Sequence, residues 1–310
     1  MIIFDLIALI AGIALVSYSS EKTVVYSTHI ASSLGVPTLV VGVLLVAIGT
    51  DLPEIANSIF SSYAGHGDVN VGNALGSCLT QISLMLGIAA LMGGAIYAHR
   101  RNVLVLGLGA VVAVVIATVL LVDGRISRID ALILIISYMA LLWISIKFSV
   151  KEFGSEIIDL SCMKNQKSLC IIYLLISIVG VIISALLVVN SAVNLAQEIG
   201  LPEYIISFFI IGAGTSLPEL SVAIAAIKKK QYGIVIGDIF GSNIIDATLA
   251  LGIGPLLFPG NVSAEIILPL AIYVIIASAV IVGIYIWRGK IDKYEAIALI
   301  ALYFLAFWFI

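Results

Sequence analysis

Residues 49–54 read Gly-Thr-Asp-Leu-Pro-Glu, and residues 214–219 read Gly-Thr-Ser-Leu-Pro-Glu. At the same offset of 165 residues, the stretch Gly-Asn-Ala-Leu-Gly-Ser at 72–77 aligns without a gap with Gly-Asp-Ile-Phe-Gly-Ser at 237–242. Two motifs that recur at one spacing predict an internal duplication. Internal repeats of this size are typical of membrane transporters, whose binding sites lie where the repeats meet.

The composition places both copies in a membrane. The chain is 62% hydrophobic and only 11% charged, with a mean hydropathy of +1.23, whereas a soluble domain carries about 25% charged residues. Since backbone groups in lipid must be paired internally, apolar runs of about 20 residues are helices. We therefore expect an all-α membrane protein whose surroundings are the lipid bilayer, and no nucleic-acid partner.

Glycine, proline and charged residues divide the chain into about ten transmembrane helices. The expected ranges are 2–20, 37–64, 69–95, 102–122, 128–148, 169–194, 201–227, 231–258, 263–287 and 292–310. The first and sixth are expected to run longer, because residues 21–34 and 190–199 still read as amphipathic helix. Five helices per half is an odd number, so the second half is inverted in the membrane.

The positive charges predict the orientation. Of the 15 Lys and Arg residues, only Arg125 and Arg128 fall on one side of the predicted topology. Because cytoplasmic loops carry the excess of Lys and Arg, both termini of this multi-pass protein are predicted to lie outside the cell membrane. We expect a first five-helix repeat over 1–148, a cytoplasmic linker over 149–168 and a second, inverted repeat over 169–310. No obligatory protein partner is implied.

The repeated motif predicts a broken helix at the membrane midplane. Pro53 and Pro218 each remove an amide donor inside an apolar span. Carbonyl oxygens freed at that depth are tolerated only where they line a cavity or bind a cation. Glu54 and Glu219 follow the prolines directly and supply negative charge.

The neighbouring helices add more oxygen ligands. Asn73, Ser77 and Gln81 share one helix face, as do Asp238, Ser242 and Asp246 in the second half. Carboxylates inside apolar spans, with no Lys or Arg at that depth, require protons or a bound cation. These carboxylates are Asp51, Glu54, Glu219, Asp238 and Asp246. A cage of carboxylates, hydroxyls and carbonyls suits Ca²⁺, which takes 6–8 oxygen ligands.

At these motifs the chain resembles the sodium/calcium exchanger family of cation antiporters. The resemblance implies a secondary active antiporter, not an enzyme, which exchanges Ca²⁺ for Na⁺ by alternating access. Both ions are transported, and no cofactor is implied. Glu54 and Glu219 are implied to be the central Ca²⁺ ligands, joined by the backbone carbonyls of Thr50 and Thr215. The residues implied to line the flanking sites are Ser77, Ser216, Ser242, Asp246 and Gln81.

Three positions depart from the family pattern. Asp51 stands where Ser is usual, Gln81 where Asn is usual, and Asp238 where Asn is usual. The extra carboxylates can hold a proton, raise the affinity for a divalent ion, or replace one Na⁺ site. The closest competing function is therefore H⁺-coupled Ca²⁺ antiport, and exchange with K⁺ cotransport also stays open.

Several of these residues also have purely structural explanations. Asp51 can cap the half-helix that starts near Pro53, Asp238 can bond the backbone near Gly237, and Gln81 can make an interhelical hydrogen bond. The serines and glycines of the second motif, Ser77, Ser242, Gly72, Gly76, Gly237 and Gly241, can serve close helix packing.

Two functions from other classes also use polar groups within the membrane. An intramembrane aspartyl protease needs paired membrane aspartates, but its Gly-x-Gly-Asp motif is matched here only by Val235-Ile236-Gly237-Asp238, and it has no use for the inverted repeat. A passive channel typically needs a symmetric oligomer with a pore ring.

Overall fold

A computed structural model of the chain describes residues 2–34, 37–148, 167–198 and 216–306. These ranges are almost entirely helical, with four two-residue strands. The helices are α1 (Ile2–Leu34), α2 (Thr38–Thr50), α3 (Leu52–Tyr63), α4 (Gly67–Gly93), α5 (Arg100–Leu120), α6 (Arg128–Phe148), α7 (Lys167–Glu198), α8 (Leu217–Lys228), α9 (Tyr232–Leu257), α10 (Ala264–Arg288) and α11 (Lys293–Leu305). The strands are β1 (Ile96–Tyr97), β2 (Arg125–Ile126), β3 (Gly260–Asn261) and β4 (Lys290–Ile291).

The structure confirms an all-α membrane protein. Six of the described helices are long and apolar enough to cross a bilayer, and the bent pair α2–α3 makes a seventh. The expected spans agree with the helices within a few residues, and α1 and α7 do run longer, ending at Leu34 and Glu198. The predicted span 201–227 is described only from Ser216 onward, and the predicted span 292–310 only as far as Ala306. Most of the predicted linker lies outside the described residues.

The second half repeats the first, helix by helix. Moving α3 forward by 165 residues gives the bounds of α8, and the same offset takes α4 to α9 and α5 to α10 within three residues. Strand β1 pairs with β4 and β2 pairs with β3, so each small sheet takes one strand from each half. Because α5 separates β1 from β2 by roughly 30 Å, the two sheets lie at opposite ends of the bundle. Equivalent sheets at opposite ends are what an inverted repeat produces.

The first copy of the repeated motif is a broken helix. The axes of α2 and α3 differ by 44° at Asp51. Pro53 has no N–H, so the Gly49 carbonyl loses its usual helical donor. In the second copy, Gly214 and Thr215 lie outside the described residues. Helix α8 begins in the same register as α3, with Ser216 in the position of Asp51.

Glycines let α2 and α9 cross with their backbones in contact. A Cβ built on Gly237 would lie 2.5 Å from the Leu39 carbonyl oxygen, and one on Gly42 would lie 2.9 Å from that of Ile234. Real Cβ atoms do not approach this closely, so only glycine fits. The packing role of Gly237, and of Gly241 beside Ala47, is confirmed. The crossing brings the break after α2 against the polar face of α9.

Helix α9 is the centre of the bundle, and it has an irregularity of its own. Its apolar stretch is 94% buried, against 28% for α6. Pro255 cannot donate to the Leu251 carbonyl, and Asn70 of α4 donates to that oxygen instead, at 3.1 Å. The backbone N–H of Gly254 donates to Ser58 Oγ at 3.1 Å. The first half thus supplies the hydrogen bonds around the proline of the second.

Helices α1 and α7 form a long pair beside this bundle. Their contact includes a hydrogen bond from Thr23 Oγ1 to Ser177 Oγ at 3.0 Å and a stack of Tyr26 on Tyr173. A small buried cluster of their own, separate from the main core, consists of Ile30, Cys170, Leu174 and Ile178.

Candidate cation site

Three carboxylates from the two halves meet at the break between α2 and α3 and the start of α8. One oxygen from each of Asp51, Glu54 and Glu219 can be chosen so that all three lie within 4.8 Å of one another. All three residues are buried, with at most 1% of their surface exposed. Asp51 lies between α2 and α3, and the two glutamates lie in the first turns of α3 and α8. The repeat thus brings its two copies together at one point.

The ion pairs found in the described ranges lie away from this cluster. They involve Glu21, Asp292 and Glu295, and none of the described Lys, Arg or His side chains pairs with Asp51 or Glu219. No described N–H or O–H group donates to either carboxylate oxygen of Asp51. A charge at mid-bilayer costs about 3 kcal/mol or more, so the cluster is stable only with a proton or a cation.

Two aspartates of α9 border the cluster. Thr50 Oγ1 donates to Asp238 Oδ1 at 3.5 Å, a long contact that links the end of α2 to α9. Both Asp238 and Asp246 are fully buried, and each keeps one carboxylate oxygen, Oδ2 of Asp238 and Oδ1 of Asp246, without a hydrogen-bond partner among the described residues. These free oxygens enlarge the set of potential cation ligands.

A chain of carboxamide hydrogen bonds holds Asp246. Gln81 Nε2 donates to Asp246 Oδ2 at 3.1 Å, and Asn243 Nδ2 donates to Gln81 Oε1 at 3.0 Å. Gln81 and Asp246 are equivalent positions of the two repeats, 165 residues apart. Their hydrogen bond therefore joins the two halves at the inverted repeat's own pseudo-symmetry axis.

The structure decides between some of the alternatives for single residues. Asp51 occupies the N-cap position of α3 but makes no capping hydrogen bond with its side chain, so capping does not explain it. Asp238 bonds Thr50 rather than nearby backbone, and Gln81 does make an interhelical hydrogen bond. Thr215 lies outside the described residues.

The three predicted serines are buried on the same elements. Ser77 precedes Gln81 by one helical turn in α4, and Ser242 lies between the two aspartates of α9. Ser216 occupies the N-cap position of α8 but makes no capping hydrogen bond with its side chain. The hydroxyls of all three have no partner among the described residues. They are available to a ligand.

Sequence reasoning missed two residues near the site. Asn243 lies on α9 three residues before Asp246, and its role depends on the partner Gln81. Tyr138 is a buried residue of α6, the helix that packs beside α9, and its hydroxyl has no partner among the described residues. The sequence offered one indication of Tyr138, because the 165-residue offset aligns it with a second tyrosine, the buried Tyr303.

A buried carboxylate cluster between two inverted helical halves defines a secondary cation transporter. Residues 4–147 and 169–310 match the family model of the sodium/calcium exchanger protein. The chain therefore belongs to the sodium/calcium exchanger family, which consists of transporters.

Similar proteins span the whole chain. An uncharacterised membrane protein of Methanocaldococcus jannaschii is 34% identical over 99% of this chain and 98% of its own length. The sodium/calcium exchanger MaX1 of Methanosarcina acetivorans is 28% identical over 98% of this chain and 97% of its own. Among solved structures, the sodium-calcium exchanger NCX_Mj without Na⁺ and Ca²⁺ superposes with a TM-score of 0.83 at 30% identity and covers 99% of both chains.

Proposed function

We propose that this protein is a secondary active antiporter that exchanges Ca²⁺ for Na⁺ across a cell membrane by alternating access. The observation that carries the proposal is the meeting of the buried carboxylates of Asp51, Glu54 and Glu219, from both halves, within 4.8 Å. Hard carboxylate oxygens prefer cations such as Ca²⁺. MaX1 and NCX_Mj are both named as sodium/calcium exchangers, which supports Na⁺ and Ca²⁺ as the two exchanged ions.

In the proposed site, Glu54 and Glu219 are the central Ca²⁺ ligands, one from each half. Asp51 adds a third carboxylate that the second half lacks, and Oδ1 of Asp246 a fourth. The other proposed ligands or lining groups are the backbone carbonyls of Thr50 and Thr215, the hydroxyls of Ser77, Ser216 and Ser242, Gln81 and Oδ2 of Asp238. This set meets the 6–8 oxygens that Ca²⁺ takes, and sharing of carboxylates makes Ca²⁺ and Na⁺ compete.

Alternating access requires one group of helices to move against another. The α1–α7 pair is the best candidate, because it has its own small core. Main-core side chains interdigitate and resist sliding, whereas the described residues of this pair contribute only Val24 to the buried main core, so the pair can shift as a unit. In the proposed orientation both termini face outward and the β1–β4 sheet, beside Arg100 and Arg288, faces the cytoplasm.

H⁺-coupled antiport is the second candidate function. The observation that favours it is the burial of Asp51 and Asp238 at the site, since each adds a carboxylate that can carry a proton. The test is Ca²⁺ uptake into proteoliposomes at clamped membrane potential, driven either by a Na⁺ gradient or by a pH gradient. Uptake driven by Na⁺ alone is the expected result. Uptake driven by pH alone would overturn the coupling ion, and no Ca²⁺ uptake under either gradient would overturn the antiporter proposal.

A further inference from the structure

The hydrogen-bond chain beside Asp246 has only one consistent direction. Asn243 Nδ2 donates to the backbone carbonyl of Ile239 at 2.9 Å. A carbonyl oxygen only accepts, so this contact identifies the Asn243 atom as its NH₂ group. The same NH₂ group lies 3.0 Å from Gln81, and the Gln81 atom facing it must therefore be the oxygen.

The consequence for Gln81 follows from its planar carboxamide. With its oxygen turned to Asn243, Gln81 presents its NH₂ group to Asp246 Oδ2, at 3.1 Å. A carboxylate accepts this hydrogen bond and gains from it, since hydrogen bonds to charged groups are stronger than neutral ones. The other oxygen of Asp246, Oδ1, has no partner among the described residues.

Without Asn243, only the contact with Asp246 would hold the Gln81 carboxamide, whose two orientations are nearly equal in shape. A rotated Gln81 would point its oxygen at the Asp246 carboxylate and repel it. Its equivalent in the first repeat, Cys78, does not replace Asn243, because the Cys78 thiol donates to the Asn243 backbone oxygen at 3.5 Å. The second half has Asn243 where the first half has Cys78. This difference sets the direction of the hydrogen bond between Gln81 and Asp246, which lies on the pseudo-symmetry axis.

We propose that Asn243 is a positioning residue of the cation site, which fixes Gln81 as a donor to Asp246 and so leaves Asp246 Oδ1 free for the cation. Gln81 then acts through Asp246 and is not itself a principal cation ligand. The inference rests on the proposed transport of Ca²⁺ at this site. It assigns a role to a residue outside the predicted ligand set.

The test is a double-mutant cycle on Ca²⁺ binding. The half-saturating Ca²⁺ concentration is measured from the Ca²⁺-induced rise in melting temperature of the purified full-length protein in detergent. The variants are Asn243→Ala, Asp246→Asn and the double variant. Loss of a residue that orients a metal ligand typically costs 10–100-fold in affinity. We expect Asn243→Ala to raise the half-saturating concentration by about 10-fold in the native background and to have no further effect beside Asp246→Asn.

Two further variants keep the test decisive. Asn243→Asp preserves the size of the side chain but replaces the donor with an acceptor, so it is expected to weaken Ca²⁺ binding even if Asn243→Ala does not fold. Asn70→Val is the matched control, because Asn70 is also a buried amide that donates to a carbonyl of α9, that of Leu251. It is expected to lower the melting temperature and to leave the half-saturating Ca²⁺ concentration within twofold.

The outcomes separate this inference from the function on which it rests. If the native protein shows no Ca²⁺-induced shift, Ca²⁺ binding and the proposed function fail. If the native protein binds Ca²⁺ but both Asn243 variants leave its affinity unchanged, only the positioning role fails. An Asn243→Ala effect of equal size with and without Asp246→Asn would likewise overturn it, because a residue that acts through Asp246 has no effect once that carboxylate is lost.

Discussion

The two halves of the molecule share one backbone plan but differ in the side chains that meet at its centre. Glu54 and Glu219 occupy equivalent positions, whereas Asp51 is matched by Ser216 and Gln81 by Asp246. Duplication explains the equal backbones, since α3 and α8 begin and end at positions 165 residues apart. The unequal side chains show that the two halves bring different groups to the site, and in the proposed function one cation shared by both halves does not require chemical symmetry.

The largest effect is expected at the position where the halves agree. Glu54→Gln and Glu219→Gln each remove one charge from the cluster, and each is expected to reduce Ca²⁺ uptake into proteoliposomes to background. Glu265→Gln, at an exposed carboxylate of α10, is the matched control and is expected to retain uptake. Full activity in either site variant, with a native circular dichroism spectrum, would contradict the site assignment.

The next effect concerns the clearest difference between the halves. Asp51→Ser gives the first half the residue of the second and removes a carboxylate. It is expected to weaken Ca²⁺ binding on the order of tenfold relative to Na⁺, because ligand charge count tunes Ca²⁺ affinity. Inhibition of Ca²⁺ uptake by graded Na⁺ measures this ratio.

The reciprocal change supplies the control. The Ca²⁺ affinity can depend on the presence of this carboxylate and not on whether position 51 or position 216 carries it. In that case Asp51→Ser combined with Ser216→Asp recovers part of the Ca²⁺ affinity. An unchanged ratio of Ca²⁺ to Na⁺ affinity in Asp51→Ser would argue that the carboxylate does not contact the cation.

A smaller effect, on stability, is expected where the second half has a proline and the first does not. Pro255 is matched by Ala90, and accordingly Asn70, which bonds the freed carbonyl, is matched by Val235. Asn70→Val leaves the Leu251 carbonyl unpaired and is expected to cost about 1–3 kcal/mol of stability, measured by thermal unfolding in detergent.

The converse substitution sharpens this comparison. Ala90→Pro frees the Leu86 carbonyl, and Val235, the equivalent of Asn70, has no side-chain donor to offer it. The substitution is expected to cost about 3 kcal/mol or more. Equal melting temperatures for the native protein and Asn70→Val would show that the proline break needs no partner.

The smallest effect is expected in the α1–α7 pair. Thr23 bonds Ser177, whereas the equivalent positions, Val188 and Gly12, have no side-chain hydrogen-bonding group. Thr23→Val is expected to cost about 0.6 kcal/mol of stability, the average for such bonds between membrane helices. Transport is expected to continue. A large loss of stability would mean that this contact, and not apolar packing, holds the pair together.

The sequence by itself determined the architecture. The apolar runs, the 165-residue offset and the prolines after Leu52 and Leu217 are all features of the amino-acid order. In lipid the backbone has few alternatives to helices. From these facts follow the membrane helices, the inversion of the second half and the broken helix near Glu54. The central carboxylates could be named for the same reason, since acids inside apolar spans are functional by default. The division at 149–168 and the orientation of the termini stay predictions.

Only the tertiary structure decided how the side chains meet. The backbone contact of α2 with α9 at Gly42 and Gly237 brings Thr50 to Asp238, and no local pattern contains that distance. The direction of the Asn243–Gln81 bond depends on a backbone carbonyl of another turn, and the role of Asn70 depends on a proline 185 positions away. Hydrogen bonds are directional and short, so which groups pair across helices is fixed by the packing of backbones and not by the order of residues.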